Sequence, residues 1–206
     1  AATVAKTIEG TAAEVAAIYN SSGVDGLANK THGISLLGTA DIAAADLVTI
    51  SNEVGGHTTG TSAQLAIAGS NVVGSSADLK KVFISYDNPN GAANGGKLKF
   101  AAANPTATVT GAIAAAADII SINGDTAGLV TIAADSMSGT SANLVTASGA
   151  GTTGGAGINY VIEESDNVTV AEFKAVNDLG GSGTITATMQ SKAIADYSGL
   201  QADPNG

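Results

Sequence analysis

Gly139-Thr140-Ser141-Ala142-Asn143-Leu144 is one copy of a hexapeptide that recurs along this chain of 206 residues. The other close copies read GTAAEV at 10–15, GTSAQL at 60–65 and GSSADL at 74–79; looser ones read GTADIA at 38–43 and GDTAGL at 124–129. Five of the six copies have an aliphatic residue in the sixth place, which raises the pattern above composition alone. We interpret the hexapeptide as a degenerate structural repeat.

The chemistry of the hexapeptide predicts a helix start. Glycine ends the preceding segment because its backbone adopts conformations that other residues avoid. The threonine or serine that follows can accept a hydrogen bond from the free amides of the first helical turn. Thr11 with Glu14, and Thr169 with Glu172, have the spacing of a capping box. We therefore expect short helices after both threonines, each of about two to three turns.

Runs of alternating or β-branched residues predict strands between these helices. They span residues 33–37, 47–51, 82–86, 97–101, 106–110, 129–133, 158–163 and 183–188. Alanine, glycine, threonine and serine make up just over half of the chain, so the core must be thin. Thin cores suit stacked architectures. The sequence therefore predicts a mainly β fold with short helices, in a repetitive, solenoid-like or layered β-rich architecture.

A glycine-rich stretch at residues 148–157 (SGAGTTGGAG) is the best candidate for a boundary or a long loop. It divides the chain into a repeat-containing β-rich region at 1–147 and a strand–helix–strand unit at 158–206. One continuous domain remains the alternative.

Charge and composition exclude several classes of function. The net charge is −10 and the chain has no arginine, which argues against nucleic-acid binding because that needs dense positive charge. No apolar run approaches the roughly 20 residues of a membrane-spanning helix. The absence of cysteine excludes a disulfide framework and thiolate chemistry.

The sequence contains only weak matches to catalytic motifs. Ser138 followed by GTSA at 139–142 is similar to the nucleophile turn of subtilisin-like proteases, but the same Gly-Thr-Ser recurs at 60–62, as expected of a cap and not of a unique nucleophile. His32 and His57 have no metal-ligand spacing, and we interpret them as loop residues. We expect no catalytic residue, no bound organic cofactor and no enzyme activity.

Three acidic turns are the better metal candidates, because calcium takes oxygen ligands. They are residues 87–91 (DNPNG), 123–125 (NGD) and 163–167 (EESDN). None matches the twelve-residue calcium loop with its terminal glutamate. Solvated turns are therefore the simpler interpretation, and calcium binding is the alternative. No metal ligand can be assigned.

Residues 167–200, and Val168 to Ala175 in particular, resemble degenerate repeats of very large surface and secreted proteins of cyanobacteria and other marine bacteria, of the haemolysin-type or surface-layer kind. The GDTAGL and GTSANL copies approximate a second segment of those repeats. The chain departs from that group because it has no Gly-Gly-x-Gly-x-Asp nonapeptide, so the calcium roll of the group is not implied.

The composition and the resemblance together favour a non-enzymatic extracellular structural protein: a self-assembling module of a surface layer, fibre or filament at the cell surface. Its partners would be further copies or neighbouring modules. A phage virion protein such as a tail fibre, horn or decoration is the alternative, since it shares this composition. A β-helix polysaccharide lyase or hydrolase is more distant, because the aromatic and basic residues of a sugar-binding groove are scarce.

Overall fold

The computed structural model describes residues 7–21, 33–38, 41–54, 65–67, 71–86, 98–100, 104–149, 151–154, 157–180 and 183–191. About 40% of these residues are helical and 31% are in strands, and the strands form parallel sheets. The predicted mainly β, solenoid-like or layered architecture is therefore wrong: the fold is mixed α/β.

The described strands are β1 (Thr7–Gly10), β2 (Gly33–Leu36), β3 (Ile42–Ala43), β4 (Leu65–Ile67), β5 (Asn71–Gly74), β6 (Leu98–Phe100), β7 (Thr106–Val109), β8 (Ile113–Ala115), β9 (Val130–Ile132), β10 (Ser136–Gly139), β11 (Thr152–Gly154), β12 (Asn159–Ile162) and β13 (Ile185–Thr186). The helices are α1 (Ala12–Asn20), α2 (Ala44–Val54), α3 (Ser76–Lys80), α4 (Ala116–Asp125), α5 (Ser141–Ala147) and α6 (Val170–Asn177). A π-helical segment, Lys81–Tyr86, continues α3.

All strand pairs among these elements are parallel. The largest sheet has five strands in the order β3-β5-β7-β9-β11, and the next has four in the order β8-β10-β12-β13. Two pairs, β1-β2 and β4-β6, complete the set. Parallel neighbours need a crossover connection, and helices supply it here. Consecutive helices pack on one another in chain order from α1 to α6.

The core lies between the strands and the helices and is built mainly from aliphatic side chains. Strand residues alternate, so that Val72, Ala107 and Val130 point inward at 0% exposure. The helices bury one face each, for example Leu47 and Ile50 in α2. Burial of one such leucine or isoleucine stabilises the fold by about 1.5–3 kcal/mol.

Two predicted strands are helical instead. Residues 47–51 lie in α2 and residues 82–86 in the π-helical segment. Leu47 and Ile50 are three residues apart, which puts both on one helical face against the core. A short apolar run does not distinguish a strand from a buried helix. Here the packing of these side chains against the core favours the helix. The other six predicted strands are confirmed as β2, β6, β7, β9, β12 and β13.

The predicted helix caps are confirmed where they are described. Thr11 and Thr169 form complete capping boxes with Glu14 and Glu172. Two hexapeptide residues, Ser75 and Thr140, cap α3 and α5 through side-chain hydrogen bonds to the backbone.

The copy at 124–129 lies at the end of α4 and opens no helix. The copy at 38–43 ends with β3, directly before α2, and its Thr39 lies outside the described residues. The copy at 60–65 lies outside the described residues except for its last residue.

The glycine of the hexapeptide has a packing role that the sequence did not predict. A Cβ on Gly74 would lie 2.7 Å from the Cβ of Ala44, and one on Gly139 would lie 3.1 Å from the Cβ of Ala116. Ala44 and Ala116 are the first residues of α2 and α4, so each glycine faces the start of the preceding helix. Glycine therefore lets one strand–helix junction approach the next.

Within the predicted boundary at 148–157, residues 152–154 form β11 and pair with β9. The division into regions 1–147 and 158–206 stays a prediction. In the described part of the chain, no helix combines the length and apolar character needed to cross a bilayer.

Gly74→Ala should lower the free energy of unfolding by about 1–3 kcal/mol, because the new methyl group overlaps Ala44. Gly124→Ala is the matched control: its Cβ meets no atom within 4 Å, and alanine in a helix is favoured over glycine by about 1 kcal/mol. Urea denaturation should thus shift in opposite directions for the two variants. The double variant Ala44→Gly/Gly74→Ala should recover part of the loss; an equally unstable double variant would contradict the contact.

Candidate functional site: two polar sheet faces

Two hydroxyl groups of the protease-like motif, those of Thr140 and Ser141, form hydrogen bonds at the start of helix α5. Thr140 accepts a hydrogen bond from the backbone amide of Asn143 at 3.2 Å. Ser141 donates from both its amide and its hydroxyl to Glu164 Oε1, at 2.7 and 2.8 Å. Ser138 lies on β10, and both histidines, His32 and His57, lie outside the described residues. The motif therefore forms a helix cap, as expected.

The acidic turns do not converge within the described ranges. No group of three or more histidine, aspartate or glutamate side chains there could hold a metal ion. In the turn at 163–167, Glu164 caps α5. In the turn at 123–125, Asp125 ends α4, and burial raises the pKa of its carboxyl above the ordinary value. The turn at 87–91 lies outside the described residues, so calcium binding stays a prediction.

The outward side of the five-stranded sheet is the first candidate surface, which we call the threonine face. It consists of Ala43, Asn71, Val73, Thr106, Thr108, Thr131 and Thr153. The strand register places Ala43, Val73, Thr108, Thr131 and Thr153 in one row across all five strands. Neighbouring residues in such a row are about 4.8 Å apart. The face is therefore a regular array of methyl and hydroxyl groups.

Asn71 connects three consecutive strand regions on this face. Its Oδ1 accepts hydrogen bonds from the hydroxyls of Thr106 and Thr108, at 3.0 and 3.3 Å. Its Nδ2 donates to Asp41 Oδ1 at 2.8 Å. Further along the sheet, the hydroxyls of Thr131 and Thr153 lie 3.4 Å apart. The polar atoms of the face are thus largely bonded to one another.

The outward side of the four-stranded sheet is the second surface, the serine face. It consists of Ile113, Ala115, Ser136, Ser138, Asn159, Val161 and Thr186. Asn159 has the same role here as Asn71. Its Oδ1 accepts from the amide and the hydroxyl of Thr184, both at 2.9 Å, and its Nδ2 donates to the carbonyl of Asp135 at 3.3 Å.

None of the residues named for either face is ionisable, although the chain has 26 charged residues, 8 basic and 18 acidic. The carboxylate of Asp41, which accepts a hydrogen bond from Asn71, lies at the edge of the threonine face. The ion pairs of the described residues all involve helical or flanking residues: Lys80 with Asp118 at 2.7 Å, Lys81 with Asp78, and Lys174 with Asp178. Each face is an array of neutral methyl, hydroxyl and amide groups. It can pack against another surface and form hydrogen bonds with it.

Sequence reasoning missed Asn71, Asn159 and Glu164. Both asparagines are the first residues of strands; Asn159 lies within a predicted strand, whereas Asn71 lies in none. Their partners lie 24 to 37 positions away in sequence, so no local signal identifies the contact. Glu164 likewise reaches a helix start 23 residues earlier.

The two capping-box glutamates carry the clearest electrostatic shifts. Hydrogen bonds from the backbone amide and the hydroxyl of Thr11 lower the pKa of Glu14, and those of Thr169 lower the pKa of Glu172. In both cases the folded pKa lies below the unfolded value of 4.5. Their contribution to stability is therefore present above that pH and is lost as the pH falls through the folded pKa.

The double variant Glu14→Gln/Glu172→Gln should make thermal stability less sensitive to acid. Between about pH 6 and about pH 3, the melting temperature of the wild type should fall further than that of the variant. Glu163→Gln, a change at an exposed carboxylate, is the control and should follow the wild type. Parallel curves for the wild type and the double variant would mean that the caps do not act through their charge.

A scan against protein-family models finds no match to this chain, and searches of curated proteins and of solved structures find no match either. The function therefore has to be inferred from the two faces themselves.

Proposed function

We propose that the protein is a non-enzymatic structural module that associates with further copies of itself or with neighbouring modules, in an extracellular assembly such as a surface layer, fibre or filament. The observation that carries this proposal is that the residues named for the threonine and serine faces are all uncharged in a chain with a net charge of −10, with the carboxylate of Asp41 only at the edge of the threonine face. The location outside the cell follows from the composition and the resemblance and belongs to the proposal.

Charge-free faces favour association because charged groups are costly to desolvate. The centres of protein interfaces are depleted of charged residues for this reason. On the threonine face, Asn71 and two threonine hydroxyls already satisfy one another, so a partner does not leave them unpaired. Large apolar groups add to the surface: Ile113 on the serine face is 61% exposed, and Leu129, next to β9, is 46% exposed.

The size of the faces predicts weak individual contacts. Five strands spaced about 4.8 Å apart, each two to four residues long, cover on the order of 250 Å². A stable interface buries about 800 Å² per partner. One face alone therefore supports a transient contact, and a lasting assembly requires several contacts at once, which multivalency provides.

The net charge opposes these contacts at low ionic strength. Like-charged molecules repel over about 10 Å at 0.1 M salt, and this range shortens as salt is added. Association should therefore increase with sodium chloride. If millimolar calcium increases association more than sodium chloride does at the same ionic strength, calcium makes a specific contribution. If the two salts have equal effects, charge screening accounts for the association.

Thr131→Lys should reduce self-association measured by sedimentation velocity at moderate salt, because it places an ammonium group on the threonine face, beside the central strand β7. Ala117→Lys adds the same charge at an exposed position of α4 and is the control. We expect the sedimentation coefficient of the wild type and of Ala117→Lys to rise with protein concentration, and that of Thr131→Lys to stay closer to the monomer value. Circular dichroism checks that both variants are folded.

Two results would contradict the proposal. The first is a wild-type chain that stays monomeric at all salt and calcium concentrations. The second is an equal loss of association in both lysine variants, which would assign the effect to net charge and not to the threonine face.

A further inference from the structure

The threonine face repeats in two directions. Across the sheet, Thr108, Thr131 and Thr153 lie side by side on β7, β9 and β11, at the strand spacing of about 4.8 Å. Along β7, Thr106 and Thr108 are two residues apart, which corresponds to about 6.6 Å in a parallel strand. The face therefore presents threonine side chains as a two-dimensional lattice.

The side chains of this lattice are held in place by the protein. Threonine is branched at Cβ, so few rotamers are open to it. Asn71 orients two of the hydroxyls, since its Oδ1 accepts hydrogen bonds from Thr106 and Thr108 at 3.0 and 3.3 Å. The hydroxyls of Thr131 and Thr153 lie 3.4 Å apart and orient each other. The methyl and hydroxyl groups thus have fixed positions before any partner arrives.

A fixed lattice on a sheet suits a solid whose own surface repeats, and the chemistry of the face selects among such solids. Crystalline polysaccharides stack their sugar rings on aromatic side chains, and none of the residues named for the face is aromatic. Ionic minerals require charged groups, and here the carboxylate of Asp41 lies only at the edge. Neutral methyl and hydroxyl groups in alternation suit an uncharged lattice that forms hydrogen bonds.

From this geometry we propose that the threonine face binds ice. The strand spacing and the two-residue spacing along a strand each lie within about a tenth of a lattice repeat of hexagonal ice. A hydroxyl oxygen has two lone pairs, so Thr108 can accept a hydrogen bond from lattice water while it donates to Asn71. Ice carries no net charge, and contact with it strips no ionised side chain of the face of its hydration.

Ice binding goes beyond the proposed assembly and does not require it. A second copy on the threonine face would compete with ice for the same groups. The two activities are therefore measured separately: self-association by sedimentation velocity, and ice binding at a protein concentration at which sedimentation shows only monomer.

Partitioning into growing ice tests the proposal. Ice is grown slowly through a dilute solution of the full chain and a fluorescent dye, and the protein content of the ice is compared with that of the remaining liquid. Growing ice excludes ordinary solutes but encloses a protein that binds to its surface. The wild type should be enriched in the ice, and the dye should stay in the liquid.

Thr131→Lys should lower the enrichment to the level of the dye, because its side chain projects from the row of threonines and holds the ice surface away. Thr131→Ser keeps the hydroxyl, removes the methyl group and should lose part of the enrichment. Ala117→Lys adds the same charge at an exposed position of α4 and should behave as the wild type. If circular dichroism shows that Thr131→Lys is unfolded, Thr153→Lys on β11 replaces it, since Thr153 is exposed.

Exclusion of the wild type from ice would overturn the proposal, and it would leave a measured self-association intact. Equal enrichment of the wild type and the folded lysine variant of the face would overturn it as well, because another surface would then bind the ice. An equal loss in Ala117→Lys would assign the effect to net charge, which also contradicts the proposal. Conversely, a monomeric wild type that is enriched in ice would contradict only the proposed assembly.

Discussion

Strands in a sheet lie about 4.8 Å apart, whereas packed helices ordinarily lie about 8–10 Å apart, and this chain has to satisfy both spacings because its strands lead directly into helices. The conflict is greatest where a strand ends and a helix begins. There the structure places a glycine against an alanine: Gly74 on Ala44 and Gly139 on Ala116. Larger residues at these junctions would force the strands apart. At these two junctions, small residues are thus a packing requirement.

The same spacing shapes the two sheet faces. In a parallel, in-register sheet, each outward side chain has its counterpart about 4.8 Å away, so a charge on one strand faces any like charge on the next. Hydroxyl and amide groups avoid this repulsion and bond across the strands, as Asn71 and Asn159 do. The ion pairs of the described residues involve helices and the residues that flank them, as between Lys80 and Asp118. The proposed association with other molecules would use the same hydroxyl and amide chemistry.

Local features of the structure could be predicted from the sequence. The capping box of Thr11 and Glu14 needs residues three positions apart, and strand β7 is bounded by Pro105 and Gly111. The fold class could not be predicted, because the apolar runs of α2 and of the π-helical segment read equally well as strands. The asparagine contacts and the Glu164 cap join residues more than 20 positions apart, and a single sequence contains no signal for them.

Strands of the two large sheets alternate along the middle of the chain, and this affects where the structure unfolds locally. Residues 106–162 supply β7 to β12, which belong alternately to one large sheet and the other. Each connection in this stretch therefore joins a strand of one large sheet to a strand of the other. Earlier and later described strands belong to one large sheet or to an isolated pair. Local opening costs least where fewest contacts are lost. Amide hydrogens of Val109, Val130 and Met137 should therefore exchange with deuterium more slowly than those of β1 or β13, with protection decreasing from the middle of the chain toward both ends.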